Sequence, residues 1–255
     1  MRILLTNDDG IHAKGLKALY KTLADKHELC IVAPESERSA VGHAITLSDP
    51  IKVKRISLNN IKIENVWAIS GTPADCVKLA IYSLAPWLPD LVISGINQGA
   101  NVGLNLLYSG TVSAATEAAI LGIKAIAVSL NTYKEGNFNV AAQIIKKLIP
   151  WLYKSFQETI ALNINIPDLP IKEIRGIKIT RQSTQKFIER FEKRVDPRGN
   201  IYYWQATEAM PVVGEAEIDT GALARGYISI TPIHYDLTYY KLIKDISTPK
   251  IDITS

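Results

Sequence analysis

Asn7-Asp8-Asp9-Gly10 sets two carboxylates side by side at a glycine turn. Adjacent carboxylates repel one another, and a hard divalent cation such as Mg²⁺ or Mn²⁺, which favours oxygen ligands, would relieve that repulsion. A solvated Asp-Gly turn with an aspartate helix cap accounts for the same four residues. The motif alone leaves both readings open. Three later segments bear on the choice. Pro34 to Ala40 contains Ser39, and Ser94 to Gly103 is rich in Gly and Asn, with Asn97 and Asn101 among them. Tyr108-Ser109-Gly110-Thr111 leads into an Ala-rich stretch. A Ser-Gly-Thr turn opening a helix offers hydroxyls, free N–H groups and a positive dipole end, all suited to phosphate. Taken singly, Ser39 and Thr111 read as helix caps, Gly95 and Gly103 as turn glycines, and Asn97 and Asn101 as Asx turns. The sequence contains no Walker phosphate loop, no G-x-G-x-x-G, no H-E-x-x-H and no convincing Ser-His-Asp order.

The elements that must bring these segments together are readable from periodicity. Ile3–Thr6, Leu29–Ala33, Val66–Ile69, Leu91–Ser94 and Ile123–Ser129 are short apolar runs of strand length. Leu16, Leu19, Tyr20 and Leu23 share one helix face, and Ala74–Leu84 and Thr111–Leu121 have helical spacing, the latter ended by Gly122. Alternating apolar strands and helices predict a parallel sheet covered on both faces, a three-layer αβα sandwich of Rossmann-like α/β type. In such sheets ligands bind beyond the carboxyl ends of the strands, where all four polar segments fall. Residues 45–63 read as a hairpin or excursion. A helix over Asn139–Ser155 is expected to kink or end at Pro150. After about Ile160 the alternation weakens; Ile174–Thr180 and Tyr227–Thr231 are the strands expected there. Phe187–Val195 and Ile201–Ala206 around Asp196-Pro197-Arg198-Gly199-Asn200 predict a projecting C-terminal β-hairpin, followed by a tail extension. The whole is expected to be one domain, with residues 1–130 as the core carrying the site and 180–255 as an oligomerisation extension.

Composition narrows the function classes. At 255 residues and 47% hydrophobic, the chain can bury a sizeable core. Its net charge of +4 suits an anionic substrate but is too weak for nucleic-acid binding. No segment approaches a membrane span, and a cytoplasmic location is expected. Cys30 and Cys76, without C-x-x-C spacing, read as buried thiols.

In this order the segments resemble the SurE family. The resemblance runs through Ile3-Leu4-Leu5-Thr6-Asn7-Asp8-Asp9-Gly10-Ile11, Ala33-Pro34, Arg38-Ser39-Ala40 and Ser70-Gly71-Thr72-Pro73-Ala74-Asp75-Cys76-Val77. It continues in Ser94-Gly95-Ile96-Asn97, Tyr108 to Ala115 and Gly226 to Pro232. It implies a divalent-metal-dependent phosphomonoesterase that releases phosphate from nucleoside monophosphates, a 5'-nucleotidase with 3'-nucleotidase and exopolyphosphatase activity as extensions. One divalent cation per subunit, Mg²⁺ or Mn²⁺, would be held by Asp8, Asp9, Ser39 and Asn97 and would activate water for in-line attack. Asp8 and Asp9 are then catalytic, one of them also as proton acceptor, with an aspartyl-phosphate route as the minority mechanism. Ser109, Gly110 and Thr111 would hold phosphoryl oxygens, with Asn101 as a further substrate contact. His234, after Thr231-Pro232, is either the acid for the leaving oxygen or a surface or dimer-contact histidine. His12 and His43 are read as supporting residues. The resemblance also implies a homodimer or homotetramer exchanging C-terminal segments. A non-catalytic nucleotide-binding regulatory protein is the alternative, weakened by carboxylates that would repel phosphate without a cation.

Overall fold

The computed structural model describes residues 1–58, 63–155, 160–186, 189–207 and 214–247. Its centre is a nine-stranded sheet. In chain order the strands are β1 (Arg2–Thr6), β2 (Glu28–Pro34), β3 (Val53–Arg55), β4 (Asn65–Ile69), β5 (Leu91–Gln98), β6 (Ala125–Asn131), β7 (Ala161–Pro167) and β8 (Ile177–Ile179). Then come β9 (Glu189–Val195) and β10 (Ile201–Thr207), which form a separate hairpin, and β11 (Ile228–Ile233). The sheet order is β3-β4-β2-β1-β5-β6-β7-β11-β8. From β4 to β7 every pairing is parallel. At the flanks β3 runs antiparallel to β4, and β11 antiparallel to β7 with β8 parallel to β11.

Strand alternation divides the core. Ile3, Leu5, Ile31 and Ile93 face one side, where α1 (Lys14–Leu23) and α4 (Phe138–Ser155) pack through Leu16, Leu19, Ile145 and Ile149. Leu4, Cys30, Val32 and Val92 face the other, against α2 (Pro73–Leu79) and α3 (Gly110–Ile120). Each fully buried Leu or Ile contributes about 1.5–3 kcal/mol of transfer free energy, so two covered faces anchor the strand ends firmly. This is the expected αβα sandwich. Two short helices, α5 (Asp219–Ala224) and α6 (Tyr240–Ile243), complete the described chain.

Three local expectations change. The α4 helix does not end at Pro150 but runs on to Ser155, with Ile149 and Leu152 buried on either side so that tertiary packing offsets the lost backbone bond. The α2 helix is α-helical only to Leu79 and widens into a π turn over Ala80–Leu84. A full seven-residue strand, β7, occupies the stretch after Ile160 where sequence alternation gave no signal of a central strand. Its Asn163 and Asn165 are fully buried, an unusual choice for a sheet interior that propensity cannot anticipate. Among the described residues, no helix is long and apolar enough to cross a membrane.

Candidate active site

The loops after β1, β2 and β5 meet the start of α3 around an open cavity of about 600 Å³. It is lined by Asp8, Asp9, Ser39, Asn97, Asn101 and Ser109 from the sequence expectation. Glu37, Gln98, Asn105, Tyr108 and Tyr133 join them.

Beyond Thr6 the chain closes on itself through Asn7. Its amide donates to Gly10 O at 2.9 Å, and Gly10 N–H donates back to Asn7 Oδ1 at 3.2 Å. That closure fixes the two residues between them. Asp8 is buried, and its Oδ1 accepts the Thr111 hydroxyl at 2.5 Å and its carboxylate the Thr111 main-chain N–H. The Asp9 carboxylate accepts the main-chain N–H of Gln98. Burial pushes the Asp8 carboxyl above its usual value despite the Thr111 donors. Burial, then the charges of Asp8 and Glu37, carry Asp9 up to about 7.

Ser39 arrives on the loop after β2. This loop is tied down by Arg38 N–H to Asp8 O at 2.8 Å and Gly42 N–H to Tyr108 O at 3.0 Å. Further along, His43 Nε2 meets Glu117 at 2.7 Å, and Thr46 N–H and Oγ–H both donate to Asp75. The Ser39 hydroxyl donates to Glu37 Oε1 at 2.6 Å.

Asn97 is aimed by an irregularity in β5. The pairing with β6 shifts register between Ser94 and Asn97, a bulge of the kind that redirects a side chain. Gly95 makes this possible: its φ is +136°, and a Cβ there would sit 2.3 Å from Val128 O. The Asn97 amide nitrogen donates to Gly99 O at 2.9 Å, so its oxygen is the atom left for a ligand.

Ser109 caps α3, its Oγ accepting from Val112 N–H at 3.1 Å. Gly110 lies directly against Asp8, where a Cβ would come within 2.7 Å of the aspartate Cβ. Thr111 is fully buried with both its donors on Asp8. Neither Gly110 nor Thr111 lines the cavity. Asn101 does, with its main-chain groups and amide nitrogen engaged. Its main-chain N–H donates to Asn165 Oδ1, its carbonyl accepts from Asn163 and Asn165, and its amide donates to Ser129.

His234 stands apart. Because β11 runs antiparallel to β7, with Ile233 opposite Ala161, its end lies at the amino edge of the parallel strands. A seven-residue strand at about 3.3 Å per residue separates that edge from the cavity by roughly 20 Å. His234 is exposed there, stacked on Tyr235, its Nδ1 accepting from Asp236 N–H. His12 is exposed and also lies outside the cavity lining.

Sequence reasoning missed Glu37, Gln98, Asn105 and Tyr133. Glu37 and Gln98 lie within the segments Pro34–Ala40 and Ser94–Gly103 but were not picked out of them, while Asn105 and Tyr133 carry no local signal and join only where the loops converge. The β7 asparagines were also missed, and the Asn163-Ile164-Asn165 alternation was the available signal.

What the cavity can do follows from its charge. It presents three carboxylates, Asp8, Asp9 and Glu37, and among its described lining residues there is no Lys, Arg or His. No ion pair among the described residues engages Asp8 or Asp9. Oxygen donors of carboxylate, hydroxyl and amide type suit Mg²⁺ or Mn²⁺, and a cation would offset the burial cost that raises both aspartates.

A family model described as survival protein SurE matches residues 3–189. The chain is 49% identical over 244 residues to the 5'-nucleotidase SurE of Syntrophobacter fumaroxidans, covering 95% of this chain and 97% of that one. It is 51% identical over 242 residues to the 5'-nucleotidase SurE of Syntrophus aciditrophicus, covering 94% and 90% respectively. The fold is similar to the crystal structure of the SurE protein from Aquifex aeolicus. The TM-score is 0.85 at 40% identity, over 96% of this chain and 98% of that one.

Proposed function

The chain belongs to the SurE family, and on that premise we propose that it is a divalent-metal-dependent 5'-nucleotidase, hydrolysing nucleoside 5'-monophosphates to nucleoside and phosphate. The observation that carries this reading is an open cavity of about 600 Å³ that presents three carboxylates and has no basic residue in its described lining. Such a lining repels a phosphate dianion unless a cation lies between them. Asp8, Asp9, Ser39 and Asn97 would hold that cation, one per subunit. Bound there, Mg²⁺ or Mn²⁺ supplies Lewis-acid polarisation of a phosphoryl oxygen and of the attacking water.

The remaining work belongs to the chain. Thr111 holds Asp8 in orientation through two donors that partly oppose the effect of burial. The Ser109 hydroxyl at the start of α3 takes a phosphoryl oxygen, and Asn101, held by Asn163 and Asn165 of β7, is a further contact in the lining. Asp9, less buried than Asp8, accepts the proton of the attacking water. His234 reaches such a site as a general acid only from a second copy exchanging its C-terminal segment.

The same reading includes 3'-nucleotides and polyphosphate as further substrates, and a homodimer or homotetramer in the cytoplasm. Two buried free thiols, Cys30 and Cys76, suit a reducing compartment. The apolar face of the β9–β10 hairpin supports self-association.

The test is phosphate release from a panel of nucleoside 5'- and 3'-monophosphates and polyphosphate, in EDTA, Mg²⁺ or Mn²⁺, beside Asp8→Asn. Release is expected only with metal, and the variant should lose it by about a hundred- to a thousandfold, the scale on which losing a group acting directly on transition-state charge is felt. Nucleotide binding without release under any metal would instead support the regulatory-binder alternative.

A further inference from the structure

We propose that Tyr133 is the stacking platform for the nucleobase of the substrate, an assignment that rests on the nucleotidase reading above. Tyr133 lies just past the carboxyl end of β6 and lines the cavity, yet it is 82% exposed. A tyrosine ring left bare beside a binding site is a large amphipathic surface without an occupant. Its neighbour on one side is Gly99: Tyr133 Cε1 lies 3.4 Å from where a Cβ on that glycine would sit. The Asn97 amide nitrogen lies 4.0 Å from the same point. One glycine therefore lies between the aromatic ring and a residue of the cation set, which puts the ring beside the end of the cavity where the phosphoryl group would bind.

The cavity divides accordingly. Carboxylates, hydroxyls and amides crowd around Asp8 and Asp9, whereas Tyr133 and Tyr108 are its aromatic lining residues. A phosphoryl group at the carboxylate end leaves most of the 600 Å³ for the rest of the molecule. Behind Tyr133 the surface opens into a second hollow of about 420 Å³, which shares Gln98 and Tyr133 with the first. The ring thus forms the ridge between the two and has room for a flat group against it. Every base presents a π face, so stacking on one ring binds purines and pyrimidines alike and favours the larger purines.

The experiment compares kcat/KM for AMP, UMP and ribose 5-phosphate in the Mn²⁺-loaded full chain, with Tyr133→Ala and Tyr133→Phe. Exposure of the ring makes loss of folding an unhelpful explanation for any change. In Tyr133→Ala the ratio of AMP to ribose 5-phosphate should fall about tenfold, mainly through KM, and the preference for AMP over UMP should shrink with it. Tyr133→Phe, which keeps the stacking face, should restore both ratios. An unmoved ratio in Tyr133→Ala, or equal losses for all three substrates, removes Tyr133 from base recognition while leaving the phosphatase reading intact. Absence of release from all three by the unaltered chain overturns the nucleotidase reading and this assignment together.

Discussion

The loops at the carboxyl edge of the sheet and the β9–β10 hairpin solve opposite problems. At the sheet edge, buried polar groups find partners within the chain: Asp8 with Thr111, Asn101 with Asn163 and Asn165, and Glu117 with His43 and Lys78. In the hairpin, large apolar groups find none. Its strands pair only with each other, and the register puts Phe191, Val195, Ile201 and Tyr203 on one face. Those four side chains are 57–61% exposed. Lys193 and Gln205 share that face, yet a two-stranded hairpin is marginally stable alone in water, and this much exposed apolar surface calls for cover. The first region holds its polar side chains within one chain; the second leaves apolar side chains uncovered, which is the feature behind the proposed self-association. The difference separates what one copy completes by itself from what self-association would have to complete.

The most drastic way to break that contrast is to make the hairpin face polar. Covering an apolar side chain contributes about 1.5–3 kcal/mol, so Phe191→Asp with Tyr203→Asp should weaken self-association by at least about a hundredfold. Light scattering after size exclusion should then give the monomer mass, while metal binding at the sheet edge persists. If the unaltered chain is already monomeric at micromolar concentration, the hairpin has been misjudged.

A smaller effect is expected inside the sheet-edge region. Thr111→Val keeps the shape of the side chain and removes its hydroxyl donor to buried Asp8. Leaving that oxygen short of a partner costs about 1–3 kcal/mol, or roughly tenfold or more in kcat/KM. The Mn²⁺ concentration for half activity should rise with it. Equal activity and equal metal dependence in the variant would show that the close Thr111–Asp8 contact does nothing for the site.

Much of the sheet-edge region is legible in the sequence, because apolar runs mark where strands stop and polar residues just beyond them collect at one edge. That logic places the segments carrying Asp8, Asp9, Ser39 and Asn97 at one edge; the choice of those four as a set comes from the SurE resemblance. Periodicity does not reveal strand direction. Tyr227–Thr231 reads as a strand, but only pairing shows that β11 runs against β7 and carries His234 to the far edge. Proximity in sequence to a motif thus failed as a guide to proximity in space. Tyr133 and Gln98 illustrate a second limit, since they become neighbours only when β6 lies beside β5. Pro150 and the asparagines of β7 show a third, in which burial overrides local preference. The hairpin was legible for a simpler reason: its strands and turn are contiguous. Its amino-terminal residues 187–188 and the tail beyond residue 247 lie outside the described residues.

The smallest expected effect concerns how the Ser39 loop is held to the helical layer. Glu117 is nearly buried on α3, and its carboxylate is bonded by His43 at 2.7 Å and Lys78 at 3.0 Å. The His43 bond, against an opposing effect of burial, and then Lys78 hold its pKa below the usual 4.5. A carboxylate with a depressed folded-state pKa adds stability above its unfolded value, and that addition disappears as pH falls through the folded one. Glu117→Gln should therefore lower Tm by a few degrees at pH 7. The gap to the unaltered chain should narrow as pH drops below about 4.5, which is the unfolded reference value. Thermal melts in EDTA across pH 3.5 to 8 read this without interference from bound metal. A gap that stays constant over the whole range would mean that Glu117 acts through shape and packing, and that the charge meeting His43 and Lys78 contributes nothing to holding the loop.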